Sequence, residues 1–220
     1  QILSLLYNIV DRIYIARIPS VGTTALGAVG LCFPIIVIIT AFSNLFGSGG
    51  APLFSINRGK GNIKKAEAIM NTSFSMLCIC GVALMVIGML FASPILVLFG
   101  ASEEGLSYAY PYMMIYLIGT VPSMIATGMN PFINAQGYAT SGMLSVTIGA
   151  VANLILDPLF IFGLNLGIKG AAIATVIGQF AACICSVILF VARCKEIKIR
   201  FKGFRLDKTI VSQLYVVAIP

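Results

Sequence analysis

Charge is scarce in this 220-residue sequence, where only 10% of the residues are charged and none is histidine. Apolar residues make up 59% of the chain, and the mean hydropathy is +1.03. A soluble domain carries about 25% charged residues, because its surface must face water. The composition therefore excludes disordered, nucleic-acid-binding and ordinary cytosolic proteins, and it predicts an integral membrane protein.

Several kinds of catalytic and metal site are also missing. The two Cys-x-Cys pairs, Cys78/Cys80 and Cys183/Cys185, place their thiols about 200° apart on a helix, which suits neither a shared metal nor a disulfide. The P-loop pattern Gly-x-x-x-x-Gly-Lys does not occur, which argues against intrinsic ATP coupling. We therefore expect no enzyme and no resident cofactor, and no metal other than a coupling cation.

Long charge-free stretches predict the helices. These stretches are 18–57, 68–102, 105–156 and 170–192. About 20 apolar residues cross the hydrocarbon core, so the third stretch holds two crossings, separated by the polar, Gly-rich turn at 134–142. Pro34 and the glycines of 47–50 predict that the second helix is kinked or tilted, or extends past the bilayer. The result is an all-α, polytopic bundle of six transmembrane helices, near 1–16, 22–57, 63–92, 106–135, 141–163 and 170–194.

Lysine and arginine orient this bundle. Lysines and arginines cluster within 58–65 and within 193–208. Four predicted spans separate the two clusters, so both lie on one side of the membrane. The positive-inside rule makes that side the cytoplasm, and we expect a cell (cytoplasmic or inner) membrane. We divide the chain into a lobe at 1–194, a basic cytoplasmic linker at 195–208 and the start of a seventh helix at 209–220. The linker could equally be an interfacial segment that binds anionic lipid. Because the basic clusters mark the cytoplasmic side, they explain the net charge of +7 without a nucleic-acid partner.

Asp11 and Asp157 are the two acids predicted inside apolar helices, where a charge costs at least about 2.5–3.5 kcal/mol. Asp11 lies eight residues before Pro19 and Asp157 lies six before Gly163. At about 1.5 Å per residue, both acids sit roughly 9–12 Å below the outer helix ends. Burial favours the neutral form of a carboxylic acid, and a second acid nearby separates the two protonation steps. Two acids at one depth therefore predict a shared site for an ion-coupled carrier.

Three more polar side chains are predicted at this depth. Asn153 precedes Asp157 by four residues and shares its helix face. Thr175 lies six residues into the sixth helix, and Tyr112 has the equivalent depth in the fourth. Their oxygens suit a hard cation such as Na⁺, while a carboxylate can instead take a proton. We predict a cation or proton site formed by these three residues and the two acids.

Simpler interpretations stay open for four of these five residues. Asp11 adjoins Arg12, and both could lie at the outer interface with the arginine reaching towards water. Asp157 precedes Pro158, which could mark a kink alone. The hydroxyl residues of the predicted site could be ordinary packing residues.

Five segments of the sequence carry a family resemblance. The specific pattern lies in 153–162, NLILDPLFIF, and 167–175, GIKGAAIAT. Segments 8–16 (NIVDRIYIA), 25–31 (ALGAVGL) and 135–137 (AQG) add to it. Together they resemble the first, second, fifth and sixth helices and the fourth-to-fifth turn of the multidrug and toxic compound extrusion (MATE) transporters.

The resemblance implies twelve helices in two six-helix lobes, of which this chain would be the amino-terminal lobe and the start of helix seven. The chain begins at Gln1 without Met and stops after an apolar run, so we expect a fragment. The resemblance also implies antiport, in which organic cations or drugs leave as H⁺ or Na⁺ enters. It assigns the ion to Asp11, Asn153, Asp157 and Thr175. The expected partners are these cargoes, membrane lipids and the missing carboxy-terminal six-helix lobe.

Two other functions compete with that of a secondary multidrug efflux antiporter. A lipid-linked saccharide flippase of a related family would favour bases in the central cavity, and the helices carry almost none. An intramembrane enzyme could use the two acids as an aspartyl pair, but no serine–base or metal constellation supports it. Arg12, Ala16 and Asn134 depart from residues common in the family, which leaves the subfamily and the coupling ion open.

Overall fold

The computed structural model describes residues 2–19, 21–194, 209–212 and 214, and every regular element among them is helical. The helices are α1 (Ile2–Ala16), α2 (Gly22–Gly59), α3 (Ile63–Leu90), α4 (Ala92–Leu98), α5 (Glu103–Ile118), α6 (Thr120–Ala135), α7 (Ala139–Pro158) and α8 (Ile168–Arg193). A π-helical turn, Leu159–Gly163, continues α7.

Polar side chains begin two of these helices. The Asn62 side chain accepts a hydrogen bond from the Lys65 backbone N–H at 3.2 Å, which caps α3. Ser102 caps α5 in the same way, through the Gly105 N–H at 3.1 Å. Each cap pairs one of the N–H groups that a helix start leaves without an internal partner, and this contributes about 1 kcal/mol. Glu103 follows in the first turn of α5, where the helix dipole favours a negative charge.

The six predicted helices are present, and two features differ from the predicted pattern, namely an additional short helix and a division of the fourth helix. The second helix, α2, is an unbroken 38 residues despite its two internal prolines. At about 1.5 Å per residue it measures roughly 57 Å, so it must tilt or extend past the hydrocarbon core. The short helix α4 is not predicted by the sequence pattern. The fourth predicted helix is divided into α5 and α6, which meet at an angle of 54°.

The bend between α5 and α6 has a covalent cause. Pro122 lies in the first turn of α6 and has no N–H, so the Ile118 carbonyl loses its usual helical donor. Gly119 stands between the two helices. The Gly-Thr-Val-Pro sequence at 119–122 is therefore the local signal for this break, which the hydropathy pattern overlooks.

The described helices match a polytopic membrane protein. Four of them are long and apolar enough to cross a membrane, namely α2, α3, α7 with its π-helical turn, and α8, and the bent α5–α6 pair makes a fifth candidate. The outer faces of these helices are apolar as well. On α3, for example, Val82, Ile87 and Leu90 are 47%, 52% and 72% exposed, which is the arrangement expected where the surroundings are lipid.

Glycines fix two of the helix crossings. A Cβ on Gly47 of α2 would lie 2.6 Å from the backbone oxygen of Gly128 in α6. A Cβ on Gly178 of α8 would lie 2.8 Å from the backbone oxygen of Gly149 in α7. Because lipid is as apolar as the side chains, such close van der Waals packing replaces the hydrophobic effect as the force between helices. The crossings hold α2 with α6, and α7 with α8, as tight pairs.

The carboxy-terminal end of the sequence is described only in part. Residues 209–212 and 214, within the predicted start of a seventh helix, are helical. Ile210 and Leu214 are buried, and a Cβ on Gly50 of α2 would lie 3.2 Å from the Leu214 side chain. The predicted linker at 195–208 lies outside the described residues. The cytoplasmic placement of the basic clusters stays a prediction.

Replacement of Gly47 by alanine is expected to lower the stability of the bundle. The added methyl group would meet the backbone of Gly128, which cannot rotate away, and such overpacking costs about 1–3 kcal/mol. We expect the melting temperature of the detergent-solubilised protein to fall by several degrees. Gly30→Ala is the matched control, because Gly30 lies on the same helix and a Cβ there would have nothing within 4 Å. Equal melting temperatures for the two variants would contradict the tight crossing.

Candidate functional site

Two acidic side chains from different helices meet inside the bundle. The carboxyl groups of Asp11 on α1 and Asp157 on α7 lie within hydrogen-bonding range of each other. Asp157 is 0% exposed, and Asp11 is half-buried. Two ionised carboxylates would repel each other at this range, so the contact favours a proton or a cation shared between them. The helices also touch through Tyr14 and Phe162, whose rings pack edge to face at 6.4 Å.

The Asn153 amide joins Asp157 to a third helix. Its Nδ2 donates to Asp157 Oδ1 at 3.2 Å, across one turn of α7, and to Thr175 Oγ1 on α8 at 3.3 Å. An amide nitrogen carries two hydrogens, so it can serve both acceptors. Asn153 is 4% exposed. The Gly149–Gly178 crossing lies beside this contact and brings α7 and α8 close enough for the amide to reach both partners.

Two carboxylate oxygens at this site lack a conventional donor. Asp11 Oδ1 and Asp157 Oδ2 are buried and have no hydrogen-bond partner among the described residues. A buried acceptor without a donor costs about 1–3 kcal/mol. Tyr112 of α5 is 3% exposed, interacts electrostatically with both acids and stacks on Tyr116 with ring centroids 6.3 Å apart. Two carboxyl groups, a phenol and a threonine hydroxyl thus form an oxygen-rich cluster that suits a proton or a hard cation.

The oxygen cluster opens onto a cavity of about 1210 Å³. Four of the five predicted site residues line this cavity, and Asp157 lies behind them. Beyond the cluster, one face of α6 adds a ladder of neutral polar side chains, Ser123, Thr127, Asn130 and Asn134. Within the described lining, Asp11 is the only acid and Arg12 the only base. The cavity therefore combines apolar walls with neutral polar groups and one carboxylate.

The structure brings all five predicted site residues together. They come from α1, α5, α7 and α8, which supply Asp11, Tyr112, Asn153 with Asp157, and Thr175. The simpler interpretation that Asp11 and Arg12 both lie at the outer interface fits Arg12, which is exposed and has its Cζ 5.7 Å from the centroid of the Phe33 ring. It does not fit Asp11, which faces inward towards Asp157. The alternative of a kink at Pro158 also has a structural counterpart, because the π-helical turn follows directly.

Sequence reasoning overlooked the polar ladder of α6 and one residue of α8. The ladder residues are spaced by four, three and four positions, which is the helical signal that identifies a common face. Gln179 also lines the cavity, four residues after Thr175 and therefore on the same face of α8. The signal that could have identified Gln179 is a polar amide side chain within an otherwise apolar helix.

Comparisons with known proteins give consistent results. The MatE family profile matches residues 1–159 of this chain. The chain is 27% identical over 220 residues to the multidrug export protein MepA of Staphylococcus haemolyticus, covering 100% of this chain and 48% of that protein. It is 31% identical over 180 residues to the FAD transporter of Shewanella oneidensis, covering 80% of this chain and 39% of that one.

A solved structure is similar over the same extent. A crystal structure of MATE in the bent conformation matches with a TM-score of 0.89 and 26% sequence identity, covering 99% of this chain and 48% of that chain. This chain thus spans about half the length of the curated relatives that it matches.

Replacement of Asn153 by alanine is expected to destabilise the protein. The change leaves Asp157 Oδ1 without its amide donor, and a buried acceptor that loses its partner costs about 1–3 kcal/mol. The melting temperature in detergent should fall by several degrees. Thr147→Ala on the same helix is the control, because that hydroxyl donates to the Met143 carbonyl of its own helix at 2.9 Å. A loss no larger than that of the control would show that the amide does not stabilise the carboxyl group.

Proposed function

Because the chain belongs to the MatE family of membrane transporters, the family that its sequence resembles, we propose that it acts in a secondary multidrug exporter. In this proposal H⁺ or Na⁺ binds at the buried carboxylate site, and its entry drives the exit of an organic cation. The observation that carries the proposal is the contact between Asp11 and Asp157 at the edge of a large cavity. Family members are transporters, so we do not propose an enzyme.

The chemistry of the site fits either coupling ion. A proton shared by Asp11 and Asp157 would convert two repelling carboxylates into a hydrogen-bonded pair. A sodium ion could use the two partnerless carboxylate oxygens together with the Thr175 and Tyr112 oxygens, since hard cations prefer oxygen ligands. The Asn153 amide holds Asp157 in place in both cases. The site needs no other metal and no cofactor.

Binding of the ion would act on α1. The site lies between Asp11 of α1 and Asp157 of α7, whereas Asn153 and Thr175 fasten α7 to α8. A bound proton or cation therefore draws α1 towards the α7–α8 pair, and its release leaves two like charges that push α1 away. A ligand shifts a conformational equilibrium only by binding one state more tightly than the other. The repulsion between the acids in the ion-free state supplies this difference.

The cavity favours a cationic or neutral cargo over an anionic one. Its apolar walls suit the flat rings of drug-like molecules, and Asp11 is the single acid among its described lining residues. The single base, Arg12, lies over the Phe33 ring. An anionic cargo such as a lipid-linked saccharide would require more bases than this lining offers.

A flavin nucleotide is the second candidate cargo, because one relative is a FAD transporter that shares 31% identity with this chain. A substrate panel on the natural full-length polypeptide would separate the two cargoes. Organic cations should compete with one another for efflux, and FAD should not compete with them. Competition by FAD at similar concentration would favour the nucleotide instead.

We further propose the setting of this transporter. The chain forms a multi-pass lobe in the cell membrane, with its basic segments 58–65 and 193–208 on the cytoplasmic side. A carboxy-terminal six-helix lobe of the same polypeptide would close the other wall of the cavity, and lipids would surround the apolar outer faces. This chain covers 48% of the MepA relative and 48% of the solved structure, which supports this arrangement.

Replacement of Asp157 by asparagine is expected to lower gradient-driven efflux about tenfold or more, because an amide takes up no proton at neutral pH and lacks the negative charge that attracts a cation. The measurement uses proteoliposomes that contain the natural full-length polypeptide, an imposed H⁺ or Na⁺ gradient and a fluorescent organic cation. Glu103→Gln is the control, since this exposed acid lies at the start of α5, outside the described lining of the cavity. Undiminished efflux by Asp157→Asn would overturn the proposal.

The coupling ion itself can be assigned with the same vesicles. If Na⁺ is coupled, a Na⁺ gradient at constant pH should drive efflux, and Asp11→Asn should abolish this drive. If H⁺ is coupled, a pH gradient without Na⁺ should suffice. Efflux that needs neither gradient would contradict an ion-coupled exporter.

A further inference from the structure

A glutamine in the cavity wall contacts the bend of the divided span. A Cβ built on Gly119 would overlap Gln179 Oε1 and lie 3.0 Å from Gln179 Cδ, so this α8 side chain rests directly against the junction between α5 and α6. The Val176 side chain packs on the same point, 3.2 Å from the built Cβ. Only a glycine leaves room for this contact. The two helices that meet there form an angle of 54°.

Two buried oxygens at this junction have no hydrogen-bond partner within the described part of the chain. One is Gln179 Oε1, and the other is Oγ1 of Thr120, the first residue of α6, which is 0% exposed. The first is an acceptor and the second carries a donor hydrogen. Buried polar groups without partners are costly, and such groups in native structures call for an explanation. The two groups are complementary, lie at the same junction, and are not bonded to each other at the observed bend angle.

The same face of α8 carries the oxygen cluster. Thr175 precedes Gln179 by one helical turn and accepts a hydrogen bond from Asn153, which also binds Asp157. The Gly149–Gly178 crossing packs α8 tightly on α7 at this level. Gln179 therefore lies one turn from the carboxylate site and directly against the junction of α5 and α6. A movement of the α7–α8 pair at that site would reach this junction through Gln179.

We propose that Gln179 is a positioning residue that links the carboxylate site to the bent span, by accepting a hydrogen bond from the Thr120 hydroxyl in a second transport state. In that state the angle between α5 and α6 differs, and the two buried oxygens satisfy each other. The bond stabilises the second state relative to the observed one. Because α5 carries Tyr112 and α6 carries the polar ladder, this change would reshape the cavity when the ion site changes. This inference rests on the proposed function.

The test separates ion binding from transport in the natural full-length polypeptide. Efflux of a fluorescent organic cation is measured in proteoliposomes, and ion binding is measured as the concentration that gives half of the ion-induced rise in melting temperature. The variants are Gln179→Leu, Thr120→Val, which is nearly isosteric, Thr120→Ser, which keeps the hydroxyl, and the Gln179→Leu/Thr120→Val double variant. Ser186→Ala is the matched control, because Ser186 is also buried on α8 without a partner in the described chain.

If Gln179 links the two regions in this way, the variants should lower efflux but leave ion binding unchanged. Gln179→Leu and Thr120→Val should each lower efflux about tenfold, the double variant should be no worse than either one, and the half-saturating ion concentration should stay within twofold of the natural protein. Thr120→Ser should retain at least half of the efflux, and Ser186→Ala should be unaffected. A packing role alone would leave the isosteric Thr120→Val active.

Three results would overturn the inference. The first is efflux within twofold of the natural protein for Thr120→Val. The second is additive losses in the double variant, and the third is a loss of ion binding in Gln179→Leu as large as that in Asp157→Asn. The Asp157→Asn variant, measured beside them, reports on the proposed function separately. If it binds ion and transports normally, the carboxylate site itself is wrong; if it loses both while Thr120→Val is active, only the link is wrong.

Discussion

The contact between Asp11 and Asp157 is the constraint on which the arrangement of the site depends. Two acids inside an apolar bundle cannot both be ionised at hydrogen-bonding range without strong repulsion. The surrounding helices fit this contact: Asn153 fixes one carboxyl group from α7 and reaches α8, and Tyr112 of α5 interacts with both acids. A proton or cation that joins the acids also joins the helices that carry them.

The glycine crossings and the proline break divide the bundle into parts with different freedom. Gly149 and Gly178 pack α7 and α8 backbone to backbone, so this pair behaves as one body. Pro122 removes a hydrogen bond from the span formed by α5 and α6, and the span is interrupted at the adjacent Gly119. The structure thus places the tightly packed α7–α8 pair, which carries Asp157, beside a span that is interrupted at Gly119.

Local sequence signals were sufficient for the helices but not for their interruptions. Hydropathy and charge placed six helices and the turn near Gly137, because each depends on residues close in sequence. They also predicted a shared depth for Asp11 and Asp157, and the structure brings these two acids together. The prediction of one continuous fourth helix was wrong, although Pro122 marks the break. The short helix α4 was missed because it is far below the length of a membrane span.

The sequence by itself determined the class of protein and its main helices, since these follow from composition, period and rise per residue, and it predicted the residues of a candidate ion site. The family resemblance carried by 153–162 and 167–175 agrees with the MatE match. Only the tertiary structure decided which side chains meet. The bond from Asn153 to Thr175 joins residues 22 positions apart, and the contact of Gln179 with Gly119 joins residues that are farther apart still. Such contacts depend on how helices pack against one another, and helical periodicity holds no information about a neighbouring helix.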